Sequence, residues 1–336
     1  MPLRRPESNR RVDTVDFVQT AESILAKFDV LIEKLEADAA KDKLAIQAAE
    51  RAAKAAAAAA AEAASAKPDV SVKTKTASAG QDGAEHVLQV RGLAKKFGTT
   101  TAVAGIDLDV RAGTIFGIVG PNGAGKTTTL SMVTGLLRPD AGTVIVHGAD
   151  VWQDPAAAKR QMGVLPDRLR LFDRLTGSQL LFYAGVLRGL PADTVRERIG
   201  QLSSSFGLDE ALARLVADYS AGMTKKLSLA AALIHSPRML VLDEPFESVD
   251  PVSAANIIEI LRKYVAAGGT VVLSSHSMDL IERVCDSVAI IVEGAVLASG
   301  TVKKVRGSGT LEDKFVKLAG GRTSVEGMEW LHSFSD

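Results

Sequence analysis

Thr114-Ile115-Phe116-Gly117-Ile118-Val119 runs straight into Gly120-Pro121-Asn122-Gly123-Ala124-Gly125-Lys126-Thr127, and the architecture follows from that junction. The first part is an apolar run of the kind that forms a buried strand. The second matches G-x-x-x-x-G-K-[ST], and a helix is predicted over residues 127–134. Strand, glycine loop and helix together are the context that gives such a match meaning. Glycines let successive backbone N–H groups curl around an anion with no Cβ in the way. The helix N-terminus adds favourable partial charge. Lys126 can reach the β- and γ-phosphates of a nucleotide, and the Thr127 hydroxyl can ligate Mg²⁺. The candidate nucleotide-binding residues here are Gly120, Pro121, Asn122, Gly123, Ala124, Gly125, Lys126, Thr127 and Thr128, with ATP and Mg²⁺ as their ligands.

Further short apolar runs at 115–119, 144–146, 239–242, 271–273 and 288–292 alternate with helix-like stretches. That alternation predicts an α/β fold with a mainly parallel sheet. In such sheets ligands sit at the carboxyl ends of the strands. Met239-Leu240-Val241-Leu242 ends in Asp243-Glu244-Pro245, so Asp243 is a candidate Mg²⁺ ligand. Glu244 is a candidate general base on the attacking water. An ordinary acidic strand exit is the competing reading. His276 follows the predicted strand at 270–275 and is a candidate γ-phosphate contact, the alternative being a plain strand-end histidine.

Composition narrows the partners. Lys plus Arg and Asp plus Glu are 40 each, giving zero formal charge, so no nucleic acid is expected. The single cysteine, Cys285, excludes an intramolecular disulfide and fits a reducing compartment. No apolar run is long enough for a membrane span, and the basic start lacks the apolar stretch of a signal peptide. Residues 1–66 read as a helical extension: Phe17, Ile24, Phe28, Leu31 and Leu35 form a stripe, followed by alanine-rich sequence. Its seam suits a short coiled coil or docking on a partner, with a solvated extension as the alternative. Residues 67–86 read as a flexible linker, 87–307 as the compact domain and 308–336 as a short tail.

The order of motifs over residues 87–307 resembles the nucleotide-binding subunit of ATP-binding cassette (ABC) transporters. The resemblance implies a P-loop core with a mainly parallel sheet, an antiparallel β-subdomain and a helical subdomain. It implies a head-to-tail dimer of two copies with two ATPs between them, and a separate transmembrane permease. The domain would then be cytoplasmic and peripheral on the inner membrane face. Tyr219-Ser220-Ala221-Gly222-Met223 looks like the family signature, usually Leu-Ser-Gly-Gly-Gln, ahead of a helix predicted over 224–235. Ser220 and Gly222 match and would contact the γ-phosphate on the second copy; Ala221 and Met223 depart in the manner of exporters for drugs, antibiotics and polysaccharides. Phe97 matches the aromatic that stacks on adenine, with a half-buried strand-end phenylalanine as the alternative. Asp250 matches a carboxylate that crosses the dimer interface. Asp167 stands where the family usually has Gln; it can ligate Mg²⁺ but cannot donate a hydrogen bond when ionised, which implies weaker metal positioning or slower turnover. Residues 171–183 resemble the start of the helical subdomain, whose groove receives a permease helix. A soluble ABC ATPase, or a weakly hydrolysing ATP switch, is the alternative function. Translation types of the family carry two tandem cassettes and repair types a long coiled-coil insertion, neither of which is seen here.

Overall fold

Apolar side chains at every position of a short strand require cover on both faces. In the computed structural model, which describes residues 85–167 and 171–318, this is how strand β3 (Ile115–Val119) sits, buried along its whole length. It lies inside a six-stranded sheet with four other parallel strands: β6 (Met162–Leu165), β7 (Met239–Leu242), β8 (Thr270–Ser275) and β9 (Ser287–Val292). The order is β10-β9-β3-β8-β7-β6, and only β10 (Ala295–Thr301) runs antiparallel, closing the edge as a hairpin with β9.

A second, antiparallel sheet has the order β2-β1-β4-β5, in which β5 is the short strand Ala149–Asp150. Its long hairpin is β1 (His86–Phe97) with β2 (Thr100–Arg111), and β4 (Ala141–Val146) pairs with the other side of β1. Along β2, Ile106, Leu108 and Val110 are buried while Asp107, Asp109 and Arg111 face out, the two-residue period of a half-covered sheet. The apolar run at 144–146 thus belongs to this sheet, not among the parallel strands. Three apolar residues fix burial but carry no information on strand direction.

The core lies between the sheets. Helix α1 (Lys126–Val133) contributes Leu130, Met132 and Val133, which pack with Leu88, Val90 and Val144 of one sheet and Phe116, Ile118 and Val241 of the other. The helix that carries the phosphate-loop lysine is thereby fixed by apolar burial on its inner face.

Between β6 and β7 the chain makes a helical lobe. It holds α3 (Gly177–Leu187), α4 (Ala192–Phe206) and α5 (Ala221–Leu233). A capping box starts α3: the Thr176 hydroxyl accepts from the Gln179 backbone N–H, and the Gln179 side-chain Oε1 accepts from the Thr176 N–H. The helix predicted at 224–235 begins earlier, at Ala221, because the Ser220 side chain accepts from the Met223 N–H as its N-cap. After β7 come α6 (Pro251–Ala266) and α7 (Met278–Val284); α2 (Pro155–Gln161) lies earlier, just ahead of β6.

Residues past 307 do not trail away at once. After α8 (Val302–Arg306), helix α9 (Leu311–Leu318) docks on α7 through the fully buried Leu311, whose N–H reaches Glu282 Oε2 at 3.1 Å. The predicted N-terminal helix, nearly all of the predicted linker and residues 319–336 lie outside the described residues. Among the described residues no helix is long and apolar enough to cross a membrane.

Candidate functional site

The phosphate loop leaves β3 between close walls. A Cβ at Gly120 would meet the Ile291 carbonyl oxygen at 2.1 Å. Gly125 has φ 99° and would place a Cβ 2.4 Å from the Ala102 carbonyl oxygen. Neither position admits a side chain, so glycine there is a requirement of packing as well as of anion access. Helix α1 starts at the next residue, and its first N–H groups have no intrahelical partner. Lys126 is buried, and its ammonium donates to the carbonyl oxygens of Gly120 at 2.9 Å and Pro121 at 3.2 Å. Its Nζ also lies 3.6 Å from Glu244 Oε1.

The carboxylate pair arrives from β7, which is separated from β3 by β8. Asp243 is buried, which pushes its carboxyl above the usual carboxylate range; hydrogen bonds from Ser274 and Thr127 oppose that shift, and the nearby Asp167 and Glu244 charges add to it. Ser274 Oγ donates to Asp243 Oδ1 at 2.5 Å and accepts from the Glu244 N–H at 2.9 Å. One hydroxyl therefore ties the Asp243 carboxylate to the Glu244 backbone. Glu244 takes a left-handed backbone, φ 47°, which turns its side chain out of the strand's alternation. Its Oε2 is 3.1 Å from His276 Nδ1. Three parallel strands thus deliver Lys126, Glu244 and His276 to one edge of the sheet.

Asp167, just past β6, lines a cavity of about 470 Å³ with Thr127 and Asp243, walled by Leu130, Leu136 and Val164. These side chains offer hard oxygen donors, the kind Mg²⁺ prefers. They number two carboxylates and one hydroxyl, and no cluster of three or more metal-ligating His, Cys, Asp or Glu occurs among the described residues. Such a site fits a metal that completes its shell with phosphate oxygens and water.

The signature residues form a different group. Ser220 is exposed at the N-terminus of α5, and a Cβ at Gly222 would sit 3.4 Å from Asp250 Oδ2. Asp250 caps α6 by accepting from the Ser253 N–H at 2.9 Å, a bond that holds its carboxyl below the usual range. Phe97 is half exposed at the end of the β1–β2 hairpin, with Lys95 Nζ 5.8 Å from its ring centre. The same hairpin continues to Ala102, against Gly125.

The ABC transporter family model matches residues 103–247, from β2 to just past the carboxylate pair. The daunorubicin/doxorubicin resistance ATP-binding protein DrrA of Streptomyces peucetius is 40% identical over 223 residues, covering 66% of this chain and 68% of that one. The chain belongs to the ABC transporter ATP-binding proteins. The Nod factor export ATP-binding protein I of Ralstonia nicotianae is 39% identical over 218 residues, 65% of this chain and 68% of its own. A solved ATP-binding subunit of an ABC transporter superposes with TM-score 0.65 at 28% identity, covering 69% of this chain and 99% of that structure. As an ABC transporter subunit this protein binds and hydrolyses ATP. The transporter reading stands above that of a soluble ATPase of translation or repair.

Two residues of the subunit's site escaped the sequence reading. Ser274 is a polar residue near the end of an apolar strand, with only Ser275 between it and His276, a signal that was there to be used. Lys225 is buried in α5 and donates to the Glu244 carbonyl oxygen at 2.8 Å. In sequence it is one of two adjacent lysines, and only its three-residue spacing from Gly222 marks it as the inward one.

Proposed function

We propose that this ATP-binding subunit closes head to tail on a second copy of itself around two ATPs, and that the closure drives a separate transmembrane permease in export. The observation that carries this reading is the division of anion-binding features into two groups. One is the phosphate loop with Lys126, Glu244 and His276; the other is the exposed helix N-terminus at Ser220 and Gly222 with Asp250. Each group alone leaves a triphosphate half surrounded. Export is the reading because DrrA and the Nod factor protein are named for resistance and export.

In this mechanism Phe97 stacks on adenine, and the N–H groups of residues 122–128 with Lys126 cradle the phosphates. Thr127, Asp243 and Asp167 would hold Mg²⁺, which when bound offsets charge on the phosphates. Glu244 takes the proton of the attacking water on a carboxylate oxygen as that water displaces ADP from the γ-phosphorus. His276 keeps the carboxylate aimed through Oε2 and presents its ring to the γ-phosphate. Ser220 and Gly222 of the second copy complete the γ-phosphate shell, with its Asp250 at the seam.

The permease would seat on the helical lobe. Phe172 and Leu187 are exposed at 75% and 74%. Beside them runs a cavity lined by Pro166, Leu171, Ala184, Leu187 and Ala231. Apolar surface of this kind suits a helix from a partner. The domain of residues 87–307 would act as the ATP-binding unit, peripheral on the inner membrane face, and residues 1–66 would dock on a partner.

The test is Glu244→Gln in the full chain. The variant should bind ATP, hydrolyse less than about a hundredth as fast, and form dimers with ATP. Monomers at saturating ATP would sink the shared site, and failure to co-purify with any membrane protein would sink the permease.

A further inference from the structure

Lys225 is a buried ammonium that the mechanism above does not use. It is 8% exposed, and its charge faces four carboxylates: Asp167, Glu247, Asp243 and Glu244. Burial of an ammonium is costly unless it is paired and hydrogen-bonded, so the position carries a specific interaction. Its hydrogen bond goes to the backbone carbonyl oxygen of Glu244 at 2.8 Å rather than to a carboxylate. That carbonyl also accepts from the Glu247 N–H at 3.2 Å. Glu244 is thereby gripped at both ends of its backbone, its N–H by Ser274 and its C=O by Lys225.

The grip matters because Glu244 is one of five non-glycine residues among the described ones with positive φ. An L-residue leaves the left-handed region readily unless its surroundings hold it there. Relaxation of φ would swing the carboxylate away from His276 and Lys126. We infer that Lys225 is a positioning residue that holds Glu244 in its left-handed conformation and makes that placement depend on helix α5. One turn earlier on the same face, α5 carries Gly222, and its N-cap is Ser220. Movement of α5 when its N-terminus engages nucleotide is thus transmitted through Lys225 to the Glu244 of the same chain. This inference rests on Glu244 as general base.

The test measures phosphate release, affinity for a fluorescent ATP analogue and thermal melting in the full chain. Lys225→Met should lower kcat by about ten- to a hundredfold, the scale of a misplaced catalytic group, while ATP affinity stays within about twofold. Lys225→Arg, which keeps donor and charge, should recover most of that loss. On a Glu244→Gln background, Lys225→Met should reduce the residual rate by less than about twofold, because the group it positions is already gone. If Lys225→Met fails to fold, Lys225→Gln replaces it, since its shorter uncharged arm also misses the carbonyl, and the same split applies. A Lys225→Met or Lys225→Gln enzyme with wild-type kcat would overturn the inference alone. So would parallel loss of kcat and ATP affinity, the mark of a merely structural lysine. Glu244→Gln hydrolysing at the wild-type rate would instead overturn the general base, and this inference with it.

Discussion

Ser274 Oγ touches both members of the carboxylate pair, donating to Asp243 and accepting from the Glu244 N–H. Replacing it by Ala leaves a buried carboxylate short of a donor and frees the Glu244 peptide. We expect Ser274→Ala to lower kcat about tenfold or more with smaller change in ATP affinity, read by steady-state hydrolysis and nucleotide titration. Asp167 adds a negative charge to the same cavity, and its proximity helps raise the Asp243 carboxyl. Asp167→Gln removes that charge and supplies a donor, so ATPase activity should be preserved or raised; a large loss would refute the reading. The carboxylate pair was legible in sequence because it ends a predicted strand, and Asp167 because its position matches the family's order of motifs. Ser274 and Lys225 were not assigned, because a serine in a strand and a lysine in a helix acquire roles only from what faces them.

Helix α5 gives the element scale its clearest case. His235, just beyond it, holds β6 through Nε2 and the Met162 carbonyl oxygen at 3.0 Å. Burial, and then the Arg188 charge, push its imidazole down to about 4. The sign follows from proton uptake. Above its unfolded value near 6.5 the ring is neutral in both states, and between there and about 4 only the unfolded chain binds the proton. Stability should therefore fall as pH drops through that window. His235→Gln should flatten the melting-temperature profile there, and an unchanged slope would refute it. At the phosphate loop, Gly125→Ala combines φ 99° with a clash at the Ala102 carbonyl. It should cost about 1–3 kcal/mol in denaturant unfolding and weaken ATP binding. The loop's glycines and helix were readable because their chemistry is local. The start of α5 was not, because a cap competes with the pattern it precedes.

Across the whole molecule, the two sheets are joined by a core that α1 shares, so nucleotide contacts and stability are coupled. The chain's C-terminal side adds α9, where Leu311 is fully buried and Glu282 binds both Arg306 and the Leu311 N–H. Ending the chain at Gly307 should lower stability by about 2 kcal/mol, the value of one buried leucine, measured by denaturant unfolding. Deleting residues 1–83 should leave ATP binding intact; its loss would mean that the proposed domain begins too late.

The sequence by itself determined the phosphate loop, the strand that feeds it, the carboxylate pair and the family. Those features are contiguous, and a backbone that must wrap an anion dictates glycine at fixed intervals. Tertiary structure decided which apolar run joined which sheet, which of two lysines turned inward, and how Glu244 left its strand. Each of these depends on residues well separated in the chain meeting in space: Val144 on Val90, Lys225 on Glu244, Ser274 on Asp243. The phosphate loop thus emerges as a local motif whose proposed catalytic partners are brought together by sheet order.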